Sequence, residues 1–175
     1  GIYNFIYKKH NLMLAKFKNT FLIILLCLIN VHSYAENNLP DTLYAKVIRV
    51  VDGDTIHLNH QKFGKIKVRL AEIDTPEKKQ VCIKNSKEYR CGIIATEALV
   101  KKINKNQVRC IVQDRLDKYK RYIGVCFVEA INLNQWMVRN GHAVAYQRYS
   151  KDYIKDEDYA KKNKLGLWSG DFINP

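Results

Sequence analysis

The sequence predicts an α+β domain, a five-stranded OB-type β-barrel with three helices. Two observations point there. The order of segments along the chain is three strands, a helix, two strands and two helices. The strands are short, and five short twisted strands hide their edges by closing on themselves, which the OB barrel does.

The first strand covers Leu43–Val51 and the second Thr55–Asn59, both rich in β-branched and apolar residues, with the turn signal Asp52-Gly53 between them. Lys65–Ile73 alternates polar and apolar, the period of a half-buried strand, and Pro76 ends it. Residues 78–90 read as a polar loop. Ile93, Ile94, Ala98, Leu99 and Ile103 then recur at helical spacing. Gln107–Val112 and Tyr122–Val128 are strands, separated by a charged loop at Arg115–Lys120. Asn132 caps a helix carrying Leu133, Trp136 and Met137, and Gly141 sits where a helix end wants a left-handed residue. Ser150 caps a last helix, which Gly166 stops.

The front of the chain reads differently. Lys16 and Lys18 follow Met13, an apolar run Phe21–Ile29 comes next, and Ser33-Tyr34-Ala35 offers a small-x-small cleavage site. That is the layout of a secretory signal. A membrane anchor is the alternative, but the run is short of the roughly 20 residues that span a bilayer. The expected organisation is an extension and signal over 1–35, a polar leader over 36–42 and a domain over 43–175. The protein is then periplasmic or secreted, cleaved near Ala35, with no stable membrane association afterwards.

The formal charge is +13, and removing residues 1–35, with four Lys and no acid, leaves +9. A basic exported domain suits a polyanion: nucleic acid, anionic lipid or envelope polymer. Four cysteines remain: Cys82, Cys91, Cys110 and Cys126. An even count in an exported protein reads as two disulfides. Cys82 and Cys91 flank a short loop, and Cys110 and Cys126 lie on two strand candidates, so the expected pairs are 82–91 and 110–126. No C-x-x-C pair supports zinc.

The chemistry concentrates in two stretches, Val50–Ile56 and Arg69–Glu77. Asp54, Asp74 and Glu77 supply hard oxygen ligands of the kind Ca²⁺ or Mg²⁺ takes. Two carboxylates at neighbouring strand ends repel, and a cation between them removes the conflict. Arg69 shares its strand with apolar neighbours, so it needs an anionic partner, a structural carboxylate or a substrate phosphate. Arg121 follows the charged loop Asp117–Lys120.

Together, Val50-Val-Asp-Gly-Asp-Thr-Ile56, Arg69-x-x-x-Ile-Asp-Thr-Pro-Glu77 and Asp117-Lys-Tyr-x-Arg121 resemble the staphylococcal nuclease (thermonuclease) family from about Tyr44 to Trp168. The cysteines and Gly166-Leu-Trp-Ser-Gly170 resemble its exported bacterial branch. The resemblance implies the OB barrel with three helices. It implies a phosphodiesterase that uses one Ca²⁺ and acts on DNA and RNA, leaving 3′-phosphate ends. By position, Asp54, Asp74 and the Thr75 carbonyl would hold the metal. Glu77 would be the general base, and Arg69 and Arg121 would grip the phosphate. Lys118, Tyr119 and Tyr146 would line the nucleotide site. The tyrosines suit stacking on single-stranded or locally unpaired bases, and the protein is expected to be a monomer. Lys120 departs from the family's usual Gly, and Tyr122 from its usual small residue. Two other readings stand beside the enzyme: a non-catalytic nucleic-acid-binding module of the same fold, and a basic envelope adhesin. Neither needs Asp54, Arg69, Asp74, Glu77 and Arg121 together.

Overall fold

A computed structural model describes residues 39–148 and 150–175. The expected signal segment and the first part of the leader lie outside the described residues. Among the described residues, ten strands appear in order: β1 (Thr42–Val50), β2 (Thr55–His60), β3 (Gly64–Leu70), β4 (Ile73–Asp74), β5 (Cys82–Lys84), β6 (Lys87–Tyr89), β7 (Gln107–Leu116), β8 (Tyr122–Val128), β9 (Ile131–Asn132) and β10 (Val144–Ala145). Helix α1 (Cys91–Ile103) lies between β6 and β7, α2 (Leu133–Arg139) follows β9, and α3 (Ile154–Lys162) follows β10. A 3-10 turn at Gly166–Ser169 comes last.

The sheet runs β3-β2-β1-β7-β8-β9, and β3 pairs with β8 in parallel to close a five-stranded barrel. This is the OB-type α+β fold with three helices that the segment order predicts. Alternation fills the interior. Leu43, Ile56, Leu58, Val68, Leu70 and Val108 point inward and are buried, each such Leu or Ile contributing roughly 1.5–3 kcal/mol. Helix α1 closes the core with Ala95, Leu99 and Ile103, whose spacing puts them on one face.

Four local expectations are adjusted. The third strand breaks after Leu70, where Glu72 takes a positive φ of 64°, and β4 turns away to pair with β10. The polar loop over 78–90 contains the hairpin β5–β6. Ser150 accepts from the Asp152 N–H in a turn before the helix, and α3 starts at Ile154 with Tyr153 at the cap position. That helix already ends at Lys162, before Gly166. The last leader residues pack with the domain. Leu39 packs on the core, and the Asp41 carbonyl accepts from Val112.

Asn132 caps α2, accepting from the Gln135 N–H, and Gly141 has the left-handed φ of 71° expected after that helix. Both disulfides form as paired in the sequence: Cys82–Cys91 and Cys110–Cys126. The second joins partners opposite one another on β7 and β8. Among the described residues, no helix is long and apolar enough to cross a membrane.

Candidate active site

Four chain segments meet at one end of the barrel. The β1–β2 turn brings Asp54. Gly53 makes its close fit possible, since a Cβ there would stand 2.9 Å from the Thr75 side chain. The end of β3 brings Arg69, and the segment after β4 brings Thr75 and Glu77. The loop before β8 brings Arg121. It reaches Arg69 only through the parallel β3–β8 pairing, which sets Val68 opposite Tyr122 and Arg69 opposite Ile123.

The segments line a cavity of about 380 Å³ with Asp52, Asp54, Arg69, Asp74, Thr75, Pro76, Glu77, Tyr119 and Arg121. A second cavity of about 330 Å³ lies between the β5–β6 hairpin, α1 and the 3-10 turn. It has no acid among its lining residues, whereas the first gathers four.

Arg69 organises the carboxylates. One nitrogen, Nη2, lies 2.8 Å from Asp74 Oδ1 and 3.3 Å from Asp54 Oδ2. Its Nη1 donates to the carbonyls of Ile73 and Leu70. Asp54 is buried and accepts from Thr55 Oγ1 at 2.9 Å and Thr75 Oγ1 at 3.3 Å. Burial pushes its carboxyl up to about 6, against the opposing pull of Arg69. Burial also raises Asp74, again with Arg69 opposing. The one guanidinium therefore does not offset the burial of these two carboxylates.

Arg121 is held by Asp117. Its Nε and Nη2 each stand 2.9 Å from Asp117 Oδ2, and Nη1 donates to Thr55 Oγ1 at 3.1 Å. Burial works to raise Asp117. Hydrogen bonds from the Arg121 backbone and side chain and from the Tyr119 N–H outweigh it and hold this carboxyl below its usual range. The Tyr119 ring lies 5.1 Å from the Arg121 guanidinium.

Glu77 is exposed, and its carboxylate has no ion pair or hydrogen bond among the described residues. Its backbone is fixed instead. The Glu77 N–H donates to Gln80 Oε1, the Gln80 N–H returns to the Glu77 carbonyl, and Gln80 Nε2 donates to the Ile173 carbonyl.

Of the residues the sequence singles out, Asp54, Arg69, Asp74, Thr75, Glu77, Tyr119 and Arg121 line one cavity. Lys118 and Tyr146 are not among its walls. Lys118 lies over the Tyr119 ring at 4.9 Å. Tyr146 directly follows β10, and its N–H donates to the Glu72 carbonyl beside β4. Sequence reasoning passed over two contributors. Asp52 lines the cavity and accepts from the Asp54 N–H at 3.1 Å, though its place in an Asp-Gly turn suggested only a turn role. Asp117 orients Arg121, and an acid four residues before an Arg was the available signal.

The donor set can be tested against a cation. Two carboxylates and a carbonyl are hard oxygen ligands that suit Ca²⁺. Among the described residues, no three His, Cys, Asp or Glu side chains gather closely enough to hold a metal by themselves. The residues fit an ion that takes its remaining oxygens from water and substrate.

A family model described as "Staphylococcal nuclease homologue" matches residues 67–170. The chain belongs to this family. Its two disulfides fit the family's cysteine-containing branch. The chain is similar to an "uncharacterized endonuclease" of Haemophilus influenzae, 35% identical over 126 residues, covering 71% of this chain and 65% of that protein. It is also similar to the "succinoglycan biosynthesis protein ExoI" of Rhizobium meliloti, 33% identical over 123 residues, covering 68% and 61%. A "micrococcal nuclease" of Shigella flexneri is 32% identical over 139 residues, covering 71% and 72%. The chain thus spans less than two thirds of the length of the first two relatives.

Proposed function

We propose that the protein is an exported nuclease that hydrolyses phosphodiester bonds of DNA and RNA with low sequence specificity. One observation carries the reading. Arg69 bridges Asp54 and Asp74 in the same cavity that Arg121 and Glu77 line. A phosphodiester is anionic and resists attack, and this mixture of acid and guanidinium answers both problems.

Asp54, Asp74 and the Thr75 carbonyl would hold one Ca²⁺, and that ion would supply Lewis-acid neutralisation of a phosphoryl oxygen. Glu77, with its carboxylate unengaged, accepts the proton of the attacking water. Charge grows on the phosphoryl oxygens as the fifth bond forms. Arg69 and Arg121 donate to those oxygens, binding the transition state more strongly than the ground state. Asp117 keeps the Arg121 fork aimed, so little reorganisation is needed during reaction. Tyr119 at the cavity wall offers a ring on which an unpaired base stacks, with Lys118 and Tyr146 as further nucleotide contacts. Single-stranded or locally unpaired substrate is favoured, and the 5′-oxygen leaves to give 3′-phosphate ends. The protein acts as a monomer in the periplasm or outside the cell, free of the membrane once the signal is cut near Ala35.

The test is digestion of plasmid and of RNA with added Ca²⁺ and with chelator. Degradation with Ca²⁺ that stops on chelation is expected, and degradation indifferent to chelation removes the metal assignment. Arg69→Lys and Glu77→Gln are expected to keep the fold and lower turnover by roughly 10²–10³. If both variants turn over like the wild type, the site lies elsewhere.

A further inference from the structure

A cationic groove leaves the candidate site along the outside of the barrel. Strands β1, β2 and β3 contain no acidic residue and carry Lys46, Arg49, Lys65, Lys67 and Arg69. The pairing register sorts their side chains into rows. Thr55 lies opposite Arg69 at the site end. The next outward row is Arg49–His57–Lys67, and the one after is Lys46–Asn59–Lys65. Neighbouring strands lie roughly 4.8 Å apart, so the cations of β1 and β3 form two walls roughly 10 Å from each other, with β2 as the floor. Rows on one face repeat roughly every 6.6 Å, a spacing on the scale of successive phosphates in an extended nucleic-acid strand.

Three observations mark the groove as more than a solvated sheet face. Lys46, Arg49, Lys65 and Lys67 are exposed and make no ion pair among the described residues. Arg49 faces outward only because of a β-bulge. The register shifts between Val47 and Arg49, and without that extra residue Arg49 would stand opposite Ile56, on the core side. A bulge is a usual device for re-aiming a side chain beside an active site. His57, on the floor, is 8% exposed, and its Nδ1 is buried with no partner. Burial, with Lys65, Arg49 and Lys67 around it, pushes its pKa down while Asp52 opposes them. A buried polar atom without a partner is costly, and a polar ligand in the groove answers it.

We propose that this groove binds the phosphates of a single nucleic-acid strand running outward from the scissile bond, across rows 49–57–67 and 46–59–65. The proposal rests on the nuclease reading for the identity of the strand. The groove begins at Thr55, whose hydroxyl already contacts Asp54 and Arg121. That continuity favours the substrate itself over a separate anionic surface. Four cations give affinity without sequence preference and make the protein prefer strands longer than the site alone can hold.

The test measures binding in chelator, where no turnover is needed. Fluorescent single strands of about 4 and about 16 nucleotides, the span of known single-strand sites, are titrated at several salt concentrations. The variant Lys46→Gln/Arg49→Gln/Lys65→Gln/Lys67→Gln is compared with wild type and with a charge-matched control, Lys101→Gln/Lys105→Gln/Lys155→Gln/Lys162→Gln, at exposed positions on or just after α1 and on α3. Circular dichroism verifies each fold. The groove variant is expected to weaken the longer strand about tenfold or more, lower its salt slope by roughly 2–3, and leave the shorter strand within about threefold. The control is expected to leave both strands near wild type. Equal losses in the two variants would assign the effect to net charge and overturn the groove. So would unchanged strand binding, including the case in which the groove variant instead loses affinity for phosphatidylglycerol vesicles. The two readings fail separately. Wild type that binds long strands through the groove but never cleaves with Ca²⁺ defeats the nuclease assignment alone. Wild type that cleaves, with a groove variant that binds normally, defeats the groove alone.

Discussion

Gly92, in the first turn of α1, lies directly against the backbone of Glu77. A Cβ on Gly92 would stand 1.8 Å from the Glu77 carbonyl oxygen and 2.7 Å from its carbonyl carbon. The helix is therefore the backstop that fixes where Glu77 projects. Gly92→Ala forces one of the two to move. It is expected to lower thermal stability and to cut kcat at least about tenfold, because displacements near 1 Å cost that much or more. Melting curves and initial rates check this, and wild-type values for both would show that the contact relaxes freely.

The disulfides differ in what they hold. Cys82–Cys91 ties the β5–β6 hairpin to the residue before Gly92, beside the Glu77 segment. Cys110–Cys126 staples two barrel strands. Removing either pair is expected to cost about 2–4 kcal/mol of stability. Only Cys82→Ser/Cys91→Ser is expected to lower kcat in molecules that remain folded. Cys110→Ala/Cys126→Ala should leave kcat alone. Equal kcat in the two double variants would detach the hairpin from catalysis.

Asp54 gives a pH signature in metal-free protein. Its folded carboxyl is pushed up to about 6 by burial, above the ordinary value of 3.8. A group raised on folding stabilises fully below its unfolded pKa and loses that contribution as pH climbs through the folded one. Wild type should thus lose stability between about pH 4 and pH 6 relative to Asp54→Asn. The variant is expected to gain on the order of a few kcal/mol over wild type at neutral pH, with the gap closing toward pH 4. Denaturant titrations in chelator measure it, and a gap independent of pH would contradict the charge argument.

Lys120 occupies a glycine position. Its φ is 60°, in the left-handed region that costs an ordinary residue roughly 1–2 kcal/mol. Its N–H closes a turn onto the Asp117 carbonyl. Lys120→Gly is expected to stabilise by about 0.5–1 kcal/mol after the added freedom of the unfolded chain is subtracted. Activity should persist, because Asp117 and not the turn residue grips Arg121. Destabilisation by denaturant titration would show that the Lys side chain contributes more than its strain.

Asp117→Asn removes that grip. The Arg121 fork keeps Thr55 as partner but loses its two contacts to Asp117 Oδ2. The expected result is about a tenfold or greater fall in kcat with Tyr119 and the fold intact. An unchanged kcat would mean that substrate alone orders Arg121.

Much of this protein is written locally. Inward alternation of Leu43, Ile56, Val68 and Leu70, the Asp52-Gly53 turn, the Asn132 cap and Gly141 each announce themselves within a few residues, because side-chain period and turn chemistry act at that range. The short hairpin β5–β6 escaped notice because Cys82–Lys84 and Lys87–Tyr89 are mostly polar and alternate weakly. Ser150 misled because a hydroxyl closes a turn as readily as it caps a helix.

By itself, the sequence determined the succession of the barrel strands along the chain, the cysteine pairs and the acids and guanidinium groups available for chemistry. Tertiary structure alone decided their meeting. Arg121 stands near Arg69 only because β8 closes the barrel against β3 in parallel, and Glu77 is aimed only because α1 offers a glycine where its backbone passes. Barrel closure and backbone contact join residues far apart in the chain, and no local periodicity encodes the distance between them.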